Sequence, residues 1–174
     1  MTGTRDNVVL IGMPGAGKST VGVLLAKRLG KAFVDTDVLI QQREGRSLQA
    51  IVDAGGAADL RRIEGDTLAG LEVHDHVIAT GGSAVYSDSA MTHLRRSGVI
   101  VYLSVPWPEI ERRIHNLDSR GIARDPAQSL RAVYDERVPL YRAAADLCVD
   151  CTGLGQHECM EQVASGLAAR GAPD

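Results

Sequence analysis

The segment Gly12-Met13-Pro14-Gly15-Ala16-Gly17-Lys18-Ser19 meets the pattern G-x-x-x-x-G-K-[ST] at every fixed position, and it restricts the fold more than any other stretch. The pattern has a mechanism only between a strand and a helix. Val8-Val9-Leu10-Ile11 before it is an apolar, β-branched run of the kind that forms a buried strand. Thr20 to Leu29 after it carries apolar residues at helical spacing. Glycines let the backbone curl until several N–H groups face inward on phosphate oxygens, and the start of the following helix adds partial positive charge. Lys18 can then reach the outer phosphates, and Ser19 can bind Mg²⁺. Gly12, Gly15, Ala16, Gly17, Lys18, Ser19 and Thr20 form the expected nucleotide-contacting set.

Beyond this loop, strand and helix patterns alternate, which predicts an α/β protein with a parallel sheet. Strands are expected over about residues 7–12, 31–37, 76–80, 99–103 and 146–150. Helices are expected over about 18–29, 38–44 closed by Gly45, 47–54 capped by Ser47, 57–72, 88–96, 106–116, 128–144 and 156–169. Residues 117–127, polar and rich in turn formers, read as a mobile loop. A chain of 174 residues suits one domain with a full core. A net charge of −3 argues against a general nucleic-acid binder, and no apolar run approaches the length of a membrane span. The N-terminus leads directly into the first strand with no secretory signal, so a cytoplasmic monomer is expected. Cys148, Cys151 and Cys159 with His157 can be drawn as a zinc site, but Cys148 falls in an expected strand, where neighbours three apart point to opposite faces. The three thiols read instead as packing residues.

In an open α/β sheet, ligands bind beyond the C-terminal ends of the strands. The phosphate loop, Asp35/Asp37 and Gly81-Gly82 all fall there. The apolar strands at 77–80 and 99–104 lack the closing acid many P-loop ATPases carry, and no N-K-x-D is present to suggest a GTPase. Acids closing the strand at 33–37 instead suit a small-molecule kinase, in which one assists Mg²⁺ and the other takes the proton of an attacking hydroxyl. Both acids also suit helix capping, and the two roles can coexist. Arg61, Arg62, Arg120, Arg124 and Arg137 supply guanidiniums that bind carboxylate or phosphate through paired hydrogen bonds. A lid arginine could close over the γ-phosphate and exclude water.

With these residues placed, the sequence resembles the shikimate kinases, within the nucleoside-monophosphate-kinase-like P-loop fold. The matching pieces are Gly12 to Thr20, Asp35-Thr36-Asp37, Arg61-Arg62-Ile63-Glu64, Gly81-Gly82, Arg120 and Arg137-Val138-Pro139-Leu140-Tyr141. The resemblance implies a three-layer P-loop kinase fold: a five-stranded parallel sheet flanked by helices, an acceptor-binding helical region over about 37–72 and a lid over about 117–127. It implies ATP as co-substrate, Mg²⁺, and transfer to the 3-hydroxyl of shikimate. By the same resemblance Asp37 binds the acceptor hydroxyls and acts as base, and Arg61 and Arg137 hold the acceptor's carboxylate. Gly82 offers backbone contact, Asp35 assists Mg²⁺ through water, Arg120 is the lid arginine and Arg113 lies near the adenine. Departures cluster around the acceptor: Ser83 stands where the family has a third glycine, Gly121-Ile122 follow the lid arginine in place of Pro-Leu, and Ala57 and Leu60 replace a Glu and a Phe. They keep open an acceptor that is another hydroxy acid, hydroxy amino acid or sugar acid. A nucleotide-binding regulatory module without transfer activity is the alternative from another class.

Overall fold

In a computed structural model, which describes residues 5–114 and 121–171, five strands form one sheet in the order β2-β3-β1-β4-β5. They are β1 (Asn7–Ile11), β2 (Ala32–Asp35), β3 (His76–Ala79), β4 (Gly98–Ser104) and β5 (Leu147–Asp150). Every pairing is parallel; Leu10 at the centre sits opposite Ala79 on one side and Val101 on the other. A strand paired on both sides and covered on both faces must be apolar throughout. Val8, Val9, Leu10 and Ile11 are each no more than 4% exposed.

The helices are α1 (Lys18–Leu29), α2 (Thr36–Glu44), α3 (Leu48–Ala69), α4 (Asp88–Ser97), α5 (Trp107–Ile114), α6 (Leu130–Ala144) and α7 (Gln156–Ala169). Right-handed crossovers send α1 over one face of the sheet, because β1 to β2 runs in the opposite sense to the later connections, and put α3, α4 and α6 over the other. α7 returns to pack beside α1, completing the three expected layers. β1 and β3 therefore meet where the chain changes direction, and the crevice beyond their C-terminal ends is the natural ligand site.

Two local features differ from the sequence-based expectation, and a third, the break within α3, agrees with it. The second strand stops at Asp35, and Thr36 and Asp37 already belong to α2. Asp35 is its N-cap: Oδ1 accepts from the Asp37 and Val38 amides at 2.9 and 3.4 Å, so the acid expected inside a strand starts a helix. The helices expected at 47–54 and 57–72 are the two parts of α3, separated by a kink at Gly56, whose φ of 76° and ψ of −178° are non-helical. The adjacent glycines at 55–56 permit this break, since glycine is a poor helix former and tolerates a positive φ. Pro106 stands just outside α5, its carbonyl accepting from the amides of Glu109 and Ile110.

Two apolar clusters result. The larger surrounds the sheet; the smaller gathers Ile40, Leu48, Ile51, Leu60, Ile63 and Ala123, joining α2 and α3 to the described part of the expected lid. Cys151 and Cys159 are buried in the larger cluster, while Cys148 is exposed. No helix among the described residues is long and apolar enough to cross a membrane.

Candidate active site

The loop after β1 curls as its glycines require. Gly17 begins α1 at φ 93°, a conformation that side chains disfavour, and this lets the helix start directly against a ligand. Lys18 turns back into the loop, its Nζ donating to the carbonyls of Gly12 and Met13, both at 2.8 Å. Burial pulls its pKa down to about 8; Asp37, Glu64 and Asp35 oppose that fall and Arg137 adds to it. Ser19 Oγ donates to Asp35 Oδ2 at 2.5 Å, so a hydroxyl and a carboxylate from separate elements meet beside the loop. Two hard oxygen donors suit Mg²⁺, which completes its shell with water and substrate phosphate.

A cleft of about 370 Å³ opens from this loop toward α3 and α6. Asp37, Glu64, Gly81, Gly82 and Arg137 line it together with Lys18 and Ser19. Gly82 leaves no room for a side chain: a Cβ there would lie 2.7 Å from Pro14 Cδ and 2.9 Å from Arg137 Nη1. Its carbonyl accepts from the Tyr141 hydroxyl at 2.5 Å, which leaves its N–H as the group able to face an acceptor. Arg137 is 1% exposed, donates from Nη2 to the Ala123 carbonyl at 2.6 Å, and thereby ties α6 to residues of the expected lid. Gly121 in the same segment donates to Gln49 Oε1 at 3.2 Å, and Ile122 and Ala123 also line the cleft.

Not every expected residue joins them. Arg61 does not line the cleft; its guanidinium carbon lies 4.1 Å from the centre of the Tyr86 ring. Arg113 lines the cleft, donating from Nη1 to the Gly15 carbonyl at 3.2 Å and pairing with Glu109 at 3.1 Å. Arg120 lies outside the described residues, as do residues 117–119 of the lid. Arg62, whose role the sequence left open, faces solvent and pairs with Asp59 and Asp66 on its own helix.

Sequence reasoning gave Glu64 a place in a motif but no role, and passed over Tyr86. Glu64 sits one position after buried Ile63 and four after buried Leu60, and a carboxylate on the buried face of a helix is itself a signal. It is 3% exposed, and Ser83 Oγ donates to its Oε2. Burial raises its pKa to about 7, the Asp37 charge adds to the rise, and Ser83, Arg137 and Lys18 oppose it. Because the folded chain holds this proton between about pH 4.5 and 7 and the unfolded chain does not, stability is lost as pH rises through that window. Glu64→Gln is therefore expected to melt higher than the parent at pH 8, by up to about 3 kcal/mol, with the gap closing toward pH 4.5. Calorimetric melts of both proteins at pH 5 and pH 8 check this; a gap that does not grow with pH would mean Glu64 stays ionised throughout.

Three buried polar atoms, Glu64 Oε1, Arg137 Nε and Arg61 Nε, have no hydrogen-bond partner among the described residues. Such atoms are uncommon in folded proteins, and two of them belonging to residues that line the cleft, Glu64 and Arg137, mark a place suited to a polar ligand. The region is bounded by cationic arginines, a carboxylate pair and the phosphate loop, which suits an anionic, hydroxyl-bearing molecule beside a nucleotide.

Comparison with known proteins agrees. The family model for shikimate kinase matches residues 14–168. A shikimate kinase from Paracidovorax citrulli (strain AAC00-1) is 38% identical, covering 96% of this chain and 97% of its own. One from Mycobacterium avium (strain 104) is 40% identical, covering 92% and 93%. The solved structure of shikimate kinase from Acinetobacter baumannii in complex with shikimate superposes with a TM-score of 0.86 at 28% identity, covering 96% of this chain and 95% of that one. Many families share a phosphate loop, but this likeness extends over nearly the whole chain, and on that ground the chain belongs to the shikimate kinase family.

Proposed function

We propose that the protein transfers the γ-phosphoryl group of ATP to the 3-hydroxyl of shikimate, giving shikimate 3-phosphate and ADP. The observation that carries this reading is that buried, unpartnered Glu64 and Arg137 atoms line the same cleft as Asp37 and the phosphate loop. Amides of residues 15–20 and the Lys18 ammonium hold the phosphates, and Ser19, with Asp35 acting through water, holds Mg²⁺. When bound, the metal neutralises charge developing between the outer phosphates. Arg137 and Arg61 take the acceptor's carboxylate, and the Gly82 N–H adds a further contact. Asp37 accepts the hydroxyl proton as that oxygen bonds to phosphorus and ADP leaves, and returns it to solvent afterwards. Arg113 lies beside the adenine, and Arg120 closes over the transferring group. We assign the protein to the cytoplasm and to a monomeric state.

The direct test is coupled ADP release from MgATP with shikimate and with a panel of other hydroxy acids, hydroxy amino acids and sugar acids. Saturable turnover with shikimate is expected. Turnover of a panel member and not of shikimate would keep the mechanism and reassign the acceptor, since Leu60, Ser83 and Ile122, where this chain departs from the family, all line the cleft. No ADP release with any acceptor in the panel would leave only a nucleotide-binding module.

A further inference from the structure

Tyr86 closes a short 3₁₀ turn, Ala84–Tyr86, that follows directly from Gly81-Gly82-Ser83. Its backbone is fixed there by a hydrogen bond from its amide to the Ser83 carbonyl at 3.1 Å. At the other end its hydroxyl donates to Glu136 Oε1 on α6, and Glu136 Oε2 accepts from Gln128 at 3.1 Å. Held at both ends, the ring is in reach of two guanidiniums: the Arg61 carbon is 4.1 Å from its centre and that of Arg137 5.4 Å. Arg61 Nε has no hydrogen-bond partner among the described residues; the Tyr86 ring stacks on its guanidinium, and the Glu136 carboxylate attracts it and Arg137 alike. Two like charges brought toward one site repel each other, and an aromatic quadrupole close to both, beside that carboxylate, offsets part of the repulsion. Arginine suits this arrangement because its planar cation stacks on a ring while its edge N–H groups stay free to bind a carboxylate.

We infer that Tyr86 is a positioning residue for the acceptor's carboxylate: its ring gathers the guanidiniums of Arg61 and Arg137 into one paired cationic subsite. The inference rests on the functional reading above, because it assigns that carboxylate to these two arginines. Tyr86 touches neither the reacting hydroxyl nor the phosphates; its effect passes through the arginines and depends on the charge of the acceptor. Leu60 replaces the aromatic residue usual at that position of the family, and Tyr86 supplies a ring to the acceptor side from a different element.

The test compares Tyr86→Leu, which removes the ring, with Tyr86→Phe, which keeps it and loses only the hydroxyl. For Tyr86→Leu the KM for shikimate is expected to rise roughly tenfold, with kcat and the KM for MgATP within about twofold of the parent. Tyr86→Phe is expected to stay within about twofold on all three. Calorimetric binding of shikimate and of its methyl ester supplies the charge control: the acid loses affinity in Tyr86→Leu and the ester does not. An unchanged KM in Tyr86→Leu, an equal loss for acid and ester, or a loss in Tyr86→Phe as large as in Tyr86→Leu would each overturn the inference. Side-chain spectra of ¹⁵N-arginine-labelled protein read the stack without any acceptor. The ring-current shift of Arg61 Nε–H is expected to vanish in Tyr86→Leu and persist in Tyr86→Phe, and its absence from the parent would also overturn the inference. Failure of the functional reading itself would look different: the parent would neither bind nor turn over shikimate while the ring-current shift remained.

Discussion

Asp37→Asn is expected to lower kcat by roughly 10²–10⁴-fold while MgATP affinity stays within a few-fold of the parent. Asn preserves the size and most of the hydrogen bonding of the side chain and removes its ability to take a proton. Asp37 stands in the first turn of α2, one residue beyond buried Thr36, whose hydroxyl donates to the Ala79 carbonyl of β3 at 3.2 Å and anchors that turn to the sheet. A Cβ built on Gly81 would lie 2.8 Å from Asp37 Oδ1, so the carboxylate sits against the turn after β3 on the wall of the cleft. Its position separates it from the metal-side acid. Asp35 already accepts from Ser19 and caps the helix, and neither task needs a labile proton. Single-turnover phosphoryl transfer with MgATP titrations on the same variant makes the comparison. A parallel loss of nucleotide affinity would move Asp37 into the metal site and leave the base unassigned.

Lys18→Met carries the second large effect, a loss of turnover of roughly 10³-fold or more. Methionine keeps the stem of the side chain and deletes the ammonium. The ammonium braces the loop through the Gly12 and Met13 carbonyls, and in the proposed mechanism its remaining N–H meets developing charge on the phosphates. The usual objection to such a variant, that it merely unfolds, has a physical answer. Burial lowers the Lys18 pKa to about 8, so the folded chain gives up this proton more readily than the unfolded one. Below pH 8 the full cost of a buried charge is present, and it is relieved as pH rises toward 10.5. Removing the charge should therefore leave the Tm at pH 7 equal to or above that of the parent while activity disappears. Activity near that of the parent would show that the loop does not hold the transferred phosphate.

The contrast between these two residues shows what can be read from the chain before folding. The role of Lys18 is written in eight consecutive residues, because a loop that wraps a phosphate is built from local backbone and local glycines. The order of strands and helices is legible for the same reason: each depends on a periodicity within its own segment. Asp37 was legible as chemistry but not as geometry. The apolar run before it reads as a strand that continues, and only the capping bond from Asp35 ends it two residues early. Glu64 and Ser83 are nineteen positions apart, and nothing local to either announces that one holds the other. Tyr86 is harder still, since its role depends on one arginine twenty-five positions before it and another fifty-one after it. Arg61 could be named from its motif, but the ring it stacks on belongs to no motif.

The smaller apolar cluster has a consequence for how such an enzyme can change over generations. Ile40, Leu48, Ile51, Leu60, Ile63 and Ala123 pack on one another rather than on the central sheet, and Leu48, Leu60 and Ala123 also face the cleft. Substitutions separated from the sheet core combine with changes there almost independently, because distant sites without shared partners add. A lineage can therefore reshape the volume and polarity around its acceptor by drift within half a dozen side chains, without disturbing the phosphate loop or the strands that carry it. The scaffold tolerates such novelty because its two interiors answer to different selective demands: one keeps the nucleotide chemistry fixed, and the other is free to follow whichever metabolite the cell supplies.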